Sequence, residues 1–424
     1  MSPLLSMYIE NLYKIFLVCL LILIILNPYT VVGNLAYYAV IPFLLVGAIC
    51  RFRYLGFDTF FLLGLMVLIS VWGAFVSFAN NIGQFIHLKV AAGLLLYVLV
   101  AHGVFAFFSR RGFNFNDFIY CALLAVVVNG LVIIFEVFFP DFRDLIEVVL
   151  VASGNVDWQE GFRYRGIASG GGASLSILIP VAVVMALHLY KDKYIGNISL
   201  LLNLAVLIFS LFFIGRTGVM LLPLVFISFV FFNFRRYFFH TFWLFLLITF
   251  VIVFGYEYFK QIVIDRYGVG FFDYSLGFLL EGSDGLKSEG TVDAILGFLK
   301  VVPTTFPEVV IGCGFYGEGE FFPWTDSGYS RMFLSVGYFF GLIFYACFLL
   351  MFRNVFLHKS FLFLTVGSLL LIAEAKEPLL FTGYASRTYF MLLVFGMLDK
   401  KMQQQNGRVG VDNIRHDGLV SGIS

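Results

Sequence analysis

Long apolar runs separated by short polar connections recur along the whole chain. A helix needs about 20 apolar residues to cross a bilayer, and such a segment is helical because an unpaired backbone group in lipid costs several kcal/mol. We predict twelve transmembrane helices, at residues 12–27, 31–50, 58–79, 85–108, 117–139, 172–190, 197–214, 217–233, 238–257, 330–352, 360–373 and 382–398. The first and eleventh runs are short, so eleven or thirteen spans stay open. The fold class predicted is an all-α polytopic membrane protein.

The spacing of the apolar runs divides the chain into four parts. Residues 1–257 hold the first nine predicted helices, with a long connection at 140–171. Residues 258–329 form a large late loop, in which apolar positions after Ser288 recur at helical spacing and predict an amphipathic helix that ends before Pro303. Residues 330–400 hold the last three helices and residues 401–424 form the tail, whose polar stretch from Gln403 to Ser424 is predicted to be disordered.

The composition agrees with a membrane protein and excludes a soluble globular domain. Apolar residues make up 61% of the chain and charged residues 12%, against roughly 25% charged in soluble domains. The formal net charge of +1 gives no sign of a nucleic-acid partner.

Basic residues occupy every second predicted connection, which indicates the cytoplasmic side. The alternate short connections at 27–30 and 80–85 carry no Lys or Arg. Both termini are therefore predicted to be cytoplasmic, and the two long loops are predicted to lie outside. The basic residues that define this pattern are Arg51, Arg53, Arg110, Arg111, Lys191, Lys193, Arg235, Arg236, Arg353, Lys359, Lys400 and Lys401.

Several basic residues fall at the predicted outer face, where this rule gives no reason for them. Arg216 lies in a connection of almost no length, Ile214-Gly215-Arg216-Thr217-Gly218. Arg163 and Arg165 precede the run Gly170 to Gly172 and the start of the sixth span. Arginines beside the free N–H groups of a helix start suit an anion. The alternatives are that Arg216 snorkels to headgroups or caps the preceding helix, and that Arg163 and Arg165 pair with Asp157 and Glu160.

Two further charged groups open the tenth and twelfth spans. Asp326 stands at the start of the tenth span with Arg331 about one turn inside, and Asp326 is a candidate base or a plain N-cap. Arg387 opens the twelfth span, and Lys376 precedes it in the chain. These two residues either belong to a binding site or form a structural ion network with Glu374 and Glu377.

Other chemistry has little support in the sequence. There is no Walker loop and no histidine cluster of the kind that binds zinc, and Glu318 with Glu320 supplies too few ligands for a divalent ion. We expect no cofactor and no metal site.

In these residues the chain resembles the O-antigen polymerases, the Wzy-type polymerases of bacterial surface polysaccharides, and is similar to the wider group that includes the O-antigen ligases. The resemblance covers most of the chain as architecture, and its motifs are 162–172, 215–218, 312–315, 326–331 with Gly337 and Gly341, and 376–378 with Arg387.

The resemblance implies a C-type glycosyltransferase-like fold in the bacterial inner membrane with its active site facing the periplasm. The implied reaction is metal-independent transfer of a growing glycan from undecaprenyl pyrophosphate onto another lipid-linked repeat unit. The ligases use a histidine in their late periplasmic loop, and residues 258–329 contain none, which favours a polymerase. The implied partners are this lipid-linked oligosaccharide, as donor and acceptor, membrane lipids and a polysaccharide chain-length regulator.

Roles for individual residues follow from the resemblance together with the chemistry of the reaction. Arg216 and Asp326 are assigned to catalysis, because a departing pyrophosphate needs fixed positive charge and an acceptor hydroxyl needs a proton acceptor. Glu318 and Glu320 stand behind Asp326 as alternative bases, and Tyr164, Trp324 and Tyr329 are candidates either for sugar stacking or for the interfacial aromatic belt. The residues assigned to substrate binding are Arg163, Arg165, Arg331, Arg387, Lys376 and Tyr329.

Three rival functions stay open at this point. An O-antigen ligase has the same layout, a lipid-linked oligosaccharide flippase or other transporter would place charges near the bilayer midplane, and an accessory scaffold would catalyse nothing.

Overall fold

The computed structural model is an almost entirely helical bundle. It describes residues 3–49, 56–83, 85–151, 164–233, 261, 264–265, 291–316, 325–351, 353, 355, 359–378 and 383–420. The helices of the first half are α1 (Pro3–Leu26), α2 (Leu35–Ile49), α3 (Phe57–Ala79), α4 (Ile86–Ser109), α5 (Phe115–Phe138), α6 (Pro140–Val149) and α7 (Ala173–Lys191). Those that follow are α8 (Asn197–Ile214), α9 (Arg216–Asn233), α10 (Thr291–Lys300), α11 (Phe306–Ile311), α12 (Gly328–Met351), α13 (Ser360–Glu374) and α14 (Tyr384–Val420). A two-residue hairpin pairs β1 (Tyr29–Thr30) with β2 (Gly33–Asn34).

Eight of the described helices are long and apolar enough to cross a membrane. They are α1 from Met7 onward, α3, α4, α5, α7, α8, α9 and α12. Helices α2 and α13 are apolar but shorter, and the predicted twelfth span lies inside α14. The predicted ninth span, at 238–257, lies outside the described residues. The protein is a multi-pass, all-α membrane protein.

Helix α7 is the centre of the bundle. Every residue from Leu175 to Leu189 is buried, and α7 packs against α5, α8, α13 and α14. A second group joins α3, α4 and α12, with α2 against α4. Because lipid is as apolar as these side chains, close packing and small residues hold such helices together. At the crossing of α2 and α4, a Cβ on Gly103 would lie 1.9 Å from the carbonyl oxygen of Phe43, so only glycine allows that approach.

Helix α12 is broken at Gly337, where the backbone has φ 81° and ψ 167°. The segment after α11 pairs with the freed carbonyl groups: the N–H of Cys313 donates to Leu334 at 2.7 Å and the N–H of Gly314 to Ser335 at 3.0 Å. Non-helical backbone within a bundle persists where protein supplies its hydrogen bonds. Residues 312–316 therefore complete the broken helix, and we name them the wedge.

The structure shows helices in both long connections and in the tail. The connection at 140–171 contains α6, which follows α5 with only Phe139 between them. The late loop contains α10, as the helical spacing predicted, and also α11. The tail was predicted to be disordered from Gln403, and this is wrong as far as Val420, because α14 continues through Met402 and three glutamines, which are good helix formers.

Candidate functional site

The starts of α7, α9, α12 and α14 and the ends of α5, α8 and α13 lie at one end of the bundle, which we name the arginine end. The first contact between them is a tight crossing of α7 and α9. The N–H of Gly218 donates to Ser176 Oγ at 3.2 Å, and a Cβ on Gly218 would lie 2.1 Å from the Ser176 carbonyl oxygen. Glycine at 218 thus brings the residues around Arg216 beside the Gly172 turn that begins α7.

Arg216 is the first residue of α9 and is half-buried. Only Gly215 separates it from the end of α8, as the sequence predicted. Arg216 starts a helix of its own, and the C-cap residue of α8 is Gly215. The first turn of α9 also carries the next contact of the site, through Thr217.

Lys376 joins the connection after α13 to the start of α9. Its ammonium group donates to Thr217 Oγ1 at 2.9 Å. Glu374, the last residue of α13, is buried and accepts from the Tyr345 hydroxyl at 3.3 Å. This hydrogen bond fixes the ammonium group of Lys376 beside the first turn of α9.

Asp326 and Arg331 form an ion pair at the start of α12. Asp326 lies before the helix and Arg331 lies in its first turn. One guanidinium nitrogen of Arg331 lies 3.3 Å from Asp326 Oδ1, and its Nε donates to the Thr325 carbonyl at 2.8 Å. Burial raises the pKa of the Asp326 carboxyl, although the charges of Arg331 and Lys376 oppose the shift. The N-cap of α12 is Ser327, whose hydroxyl accepts from the N–H of Ser330 at 3.4 Å, so Asp326 is not spent on capping.

Arg165 binds backbone oxygens of the arginine end. Its guanidinium donates to the carbonyl of Leu150, and to those of Ala168 and Ser169 at 3.5 Å each. Burial lowers the pKa of Arg165, an effect that Glu136 and Glu147 oppose. Hydrogen bonds to three carbonyl oxygens thus hold this cation in place.

Two polar residues of α5 hold the turn that follows Arg165. Glu136 Oε2 accepts from the N–H of Gly166 at 3.3 Å, and Asn129 Oδ1 accepts from the N–H of Ile167 at 2.7 Å. Both side chains are buried, and the turn needs glycine at 166 because φ is +59° there. Asn129 and Glu136 therefore fix the position of Arg165 relative to the bundle.

Tyr384 connects the start of α14 with the glycine run before α7. Its hydroxyl accepts from the N–H of Gly170 at 2.6 Å, donates to the Gly170 carbonyl at 3.0 Å and lies 2.9 Å from Ser169 Oγ. The glycine run before α7 was predicted to offer free N–H groups to an anion. This is corrected at Gly170, whose N–H donates to the Tyr384 hydroxyl.

Arg387 lies one turn into α14, with its guanidinium carbon 5.5 Å from the centre of the Tyr384 ring. Its Nε is buried and has no hydrogen-bond partner among the described residues. Buried donors are rarely left unmet, so this nitrogen is suited to an acceptor that a ligand supplies.

Two aromatic candidates pack inside the protein. The Tyr329 hydroxyl donates to the Leu371 carbonyl at 2.7 Å and its ring lies 5.0 Å from that of Tyr345. Tyr164 is buried, with Arg143 over its ring at 4.8 Å. Arg163, Asp157, Glu160, Glu318, Glu320 and Trp324 lie outside the described residues.

The sequence reasoning missed Glu136, Asn129 and Tyr384. An ionisable residue inside a membrane span is a candidate functional residue by default, and that signal was present at Glu136. Asn129 lies two turns before Glu136 on α5, and the two polar groups face the same segment. Tyr384 carried no such signal, since a tyrosine at a helix start is ordinary.

Comparison of the chain with models of known protein families, with curated proteins and with solved structures gave no match. Its function is therefore argued from its own residues.

Proposed function

We propose that this protein polymerises lipid-linked oligosaccharide repeat units into a surface polysaccharide, as the resemblance to the Wzy-type polymerases implies. The observation that carries the proposal is the meeting of five separate segments at the arginine end. Lys376 contacts Thr217, Gly218 contacts Ser176 and Tyr384 contacts Gly170. The segment that holds the Asp326 and Arg331 pair is joined to α13 by the hydrogen bond from the Tyr329 hydroxyl to the Leu371 carbonyl. These contacts join segments up to 214 positions apart, and they bring together Lys376, Asp326 and Arg331, which were assigned to the site from the sequence.

The proposed reaction needs a proton acceptor and a stabilised leaving group. In the transition state the acceptor hydroxyl gives its proton to the Asp326 carboxylate while its oxygen bonds to the anomeric carbon of the donor. The bond from that carbon to the diphosphate breaks, and the released negative charge is stabilised by Arg216. An environment that raises the pKa of Asp326 makes it a stronger base than an ordinary carboxylate.

The cations of the arginine end suit a diphosphate. Hydrogen bonds to Thr217 and to backbone carbonyls fix the positions of Lys376 and Arg165, and the Arg387 Nε lacks a partner among the described residues, so positive charge is held in fixed positions. Fixed donors stabilise developing charge better than mobile ones because they do not reorganise during the reaction. Arg163, Arg331 and Tyr329 complete the proposed substrate site.

The finer topology belongs to this proposal. It includes twelve spans, the arginine end at the periplasmic face of the bacterial inner membrane, and the tail in the cytoplasm. The partners proposed are undecaprenyl-pyrophosphate-linked oligosaccharide, membrane lipids and a chain-length regulator, with no cofactor.

The test is the length distribution of the polysaccharide made by cells carrying Arg216→Ala. We expect bands beyond one repeat to disappear while the single repeat is still attached, because transfer stops and export and ligation continue. Arg216→Lys should restore part of the ladder, since it returns the charge without the bidentate geometry. The matched control is Arg110→Ala, which should leave the ladder unchanged. Arg110 is an exposed arginine that follows the last residue of α4, outside the proposed site.

A second candidate, a lipid-linked oligosaccharide transporter, is favoured by one observation, the break in α12, because transporters often build sites at broken helices. In the same experiment, loss of every band including the single repeat would favour a transporter or a ligase over a polymerase.

A further inference from the structure

Helix α6 has an apolar face that no part of the described protein covers. None of its residues is buried, and Leu145 and Val149 are 58% and 51% exposed. The other side of α6 is charged, and there Arg143 pairs with Glu147 at 2.9 Å and lies over the Tyr164 ring. At about 100° per residue, Leu145 lies about 100° and Val149 about 140° from Asp144, and both lie about 160° from Glu147.

The place of α6 in the chain decides what meets this face. Helix α5 is long and apolar enough to span the membrane and ends at Phe138, and a single residue, Phe139, leads into α6. A span of 24 residues is about 36 Å long, so α6 starts where the hydrocarbon layer ends.

The exposed apolar surface is continuous across this junction. Phe135 and Phe138 of α5 and Phe139 between the helices are exposed, and the ring of Phe142 on α6 lies 6.0 Å from that of Phe135. The exposed side of a span faces lipid, so the apolar side of α6 extends the same lipid-facing surface around the corner.

We propose that α6 is an interfacial helix whose Leu145 and Val149 face is buried in the acyl layer of the membrane, with its charged face toward the headgroups and the protein. The partner is the lipid bilayer itself. Helix α6 carries Asp141, Asp144 and Glu147 against one arginine, so attraction to anionic lipid does not drive the contact, and apolar burial does.

Two contacts transmit the position of α6 to the arginine end. The carbonyl of Leu150, the residue after α6, accepts from the Arg165 guanidinium, and Arg143 covers the ring of Tyr164. The depth of α6 in the membrane therefore sets the height of Tyr164 and Arg165 relative to the lipid headgroups.

The test compares two neighbouring positions, Asp144→Cys and Leu145→Cys, in the full-length protein. Both side chains are exposed in the protein alone, so only a covering layer distinguishes them. Each variant is placed in phosphatidylcholine nanodiscs that hold one protein each, and its reaction with a membrane-impermeant maleimide is followed. The unmodified protein gives the background from the native cysteines, and labelling after unfolding in detergent normalises each variant.

We expect the cysteine at 145 to react about tenfold more slowly than the cysteine at 144, because acyl chains exclude the reagent. Equal rates would place this face in water and overturn the proposal. Slow reaction at both positions would also overturn it, since the helix would then be covered by protein on its polar side.

Replacing part of the phosphatidylcholine with phosphatidylglycerol separates apolar burial from charge. Protection at 145 should change by less than about twofold, because α6 has an acidic excess. Protection that arises only with the anionic lipid would contradict the proposal. Since labelling needs no transferase activity, this result is independent of whether the protein is a polymerase.

Discussion

Asp326 and Asp192 are two partly exposed carboxylates at opposite ends of the bundle. Their surroundings shift their pKa values in opposite directions. Their side chains are 34% and 22% exposed. Burial raises the pKa of Asp326, and its partner Arg331 lies at 3.3 Å. Burial also acts to raise the pKa of Asp192, but the hydrogen bond from Lys359 at 2.9 Å and the neighbouring charges outweigh it, so its pKa is lowered.

The two ends thus use charge differently. At the far end, α7 ends and α13 begins. There Lys359 forms an ion pair with Asp192, and Asp117 accepts a hydrogen bond from the Tyr194 hydroxyl at 2.5 Å. At the arginine end, Asp326 also pairs with Arg331, but at the longer distance of 3.3 Å, and Arg165 donates to backbone carbonyl oxygens. The two carboxylates of the far end are therefore held by shorter hydrogen bonds than Asp326 is.

The largest effect should come from exchanging the carboxylate for an amide at each end. Asp326→Asn should lower the rate of chain elongation by about 10²–10⁴-fold, because it removes the general base. Asp192→Asn should leave the rate unchanged while it lowers the thermal stability. The measurement is elongation of a defined lipid-linked repeat by the purified variants, and equal rates in the two variants would remove Asp326 from the mechanism.

A smaller effect, on stability, is expected from adding a methyl group at a glycine of each end. Gly218→Ala places a Cβ against the Ser176 carbonyl and should destabilise the bundle by about 1–3 kcal/mol. Gly196→Ala meets open space and should change stability by less than about 0.5 kcal/mol. Thermal unfolding in detergent compares them, and unchanged unfolding of the first variant would contradict the tight crossing of α7 and α9.

Two tyrosine hydroxyls sharpen the comparison further. Tyr194→Phe removes a hydrogen bond to Asp117 and should cost about 1.5–3 kcal/mol of stability with normal elongation. Tyr384→Phe should cost about 1 kcal/mol and also slow elongation, since its hydroxyl holds Gly170 and Ser169 in place. If both variants elongate at the normal rate, Tyr384 is a packing residue only.

The smallest expected effect is a displacement along the pH axis. Asp326 acts as a base only when ionised, so activity is lost as the pH falls through its pKa, which lies above the ordinary 3.8. Lys376→Met removes a charge that lowers this pKa, so the acid limb of kcat/KM should move to higher pH. A limb that stays in place would show that another group titrates.

The pKa shift of Asp192 has the opposite sign to that of Asp326, and it affects stability. Its pKa is lowered on folding, so its contribution is complete above 3.8 and is lost as the pH falls through the lowered value. Unfolding temperatures of the native protein and of Asp192→Asn should therefore converge on acidification.

Hydrophobic pattern alone predicted most of the helices because lipid leaves the backbone no other choice. Eight predicted spans correspond to helices of spanning length, and the predicted helix after Ser288 is α10. The early amphipathic helix α6 was missed, because the window around 140–149 mixes charged and apolar residues and reads as a loop until its period is considered.

The site was predictable as a set of cations and much less so as a geometry. Arg216, Lys376 and Arg331 stood out because charge at the end of an apolar run is costly. Which oxygens they bind depends on contacts between helices far apart in the chain, such as Lys376 with Thr217. The N-cap of α12 shows the limit on a small scale, since Asp326 and Ser327 are equally good capping residues by type and only the backbone decides between them.

The break in α12 has a consequence for how the protein is assembled in the membrane. The wedge comes before α12 in the chain, so its N–H groups have already been synthesised when the Leu334 and Ser335 carbonyls enter the bilayer. Translation order thus supplies the donors before the acceptors need them. A chain whose wedge is moved behind α12 by circular permutation would have to insert that helix with its midpoint unsatisfied.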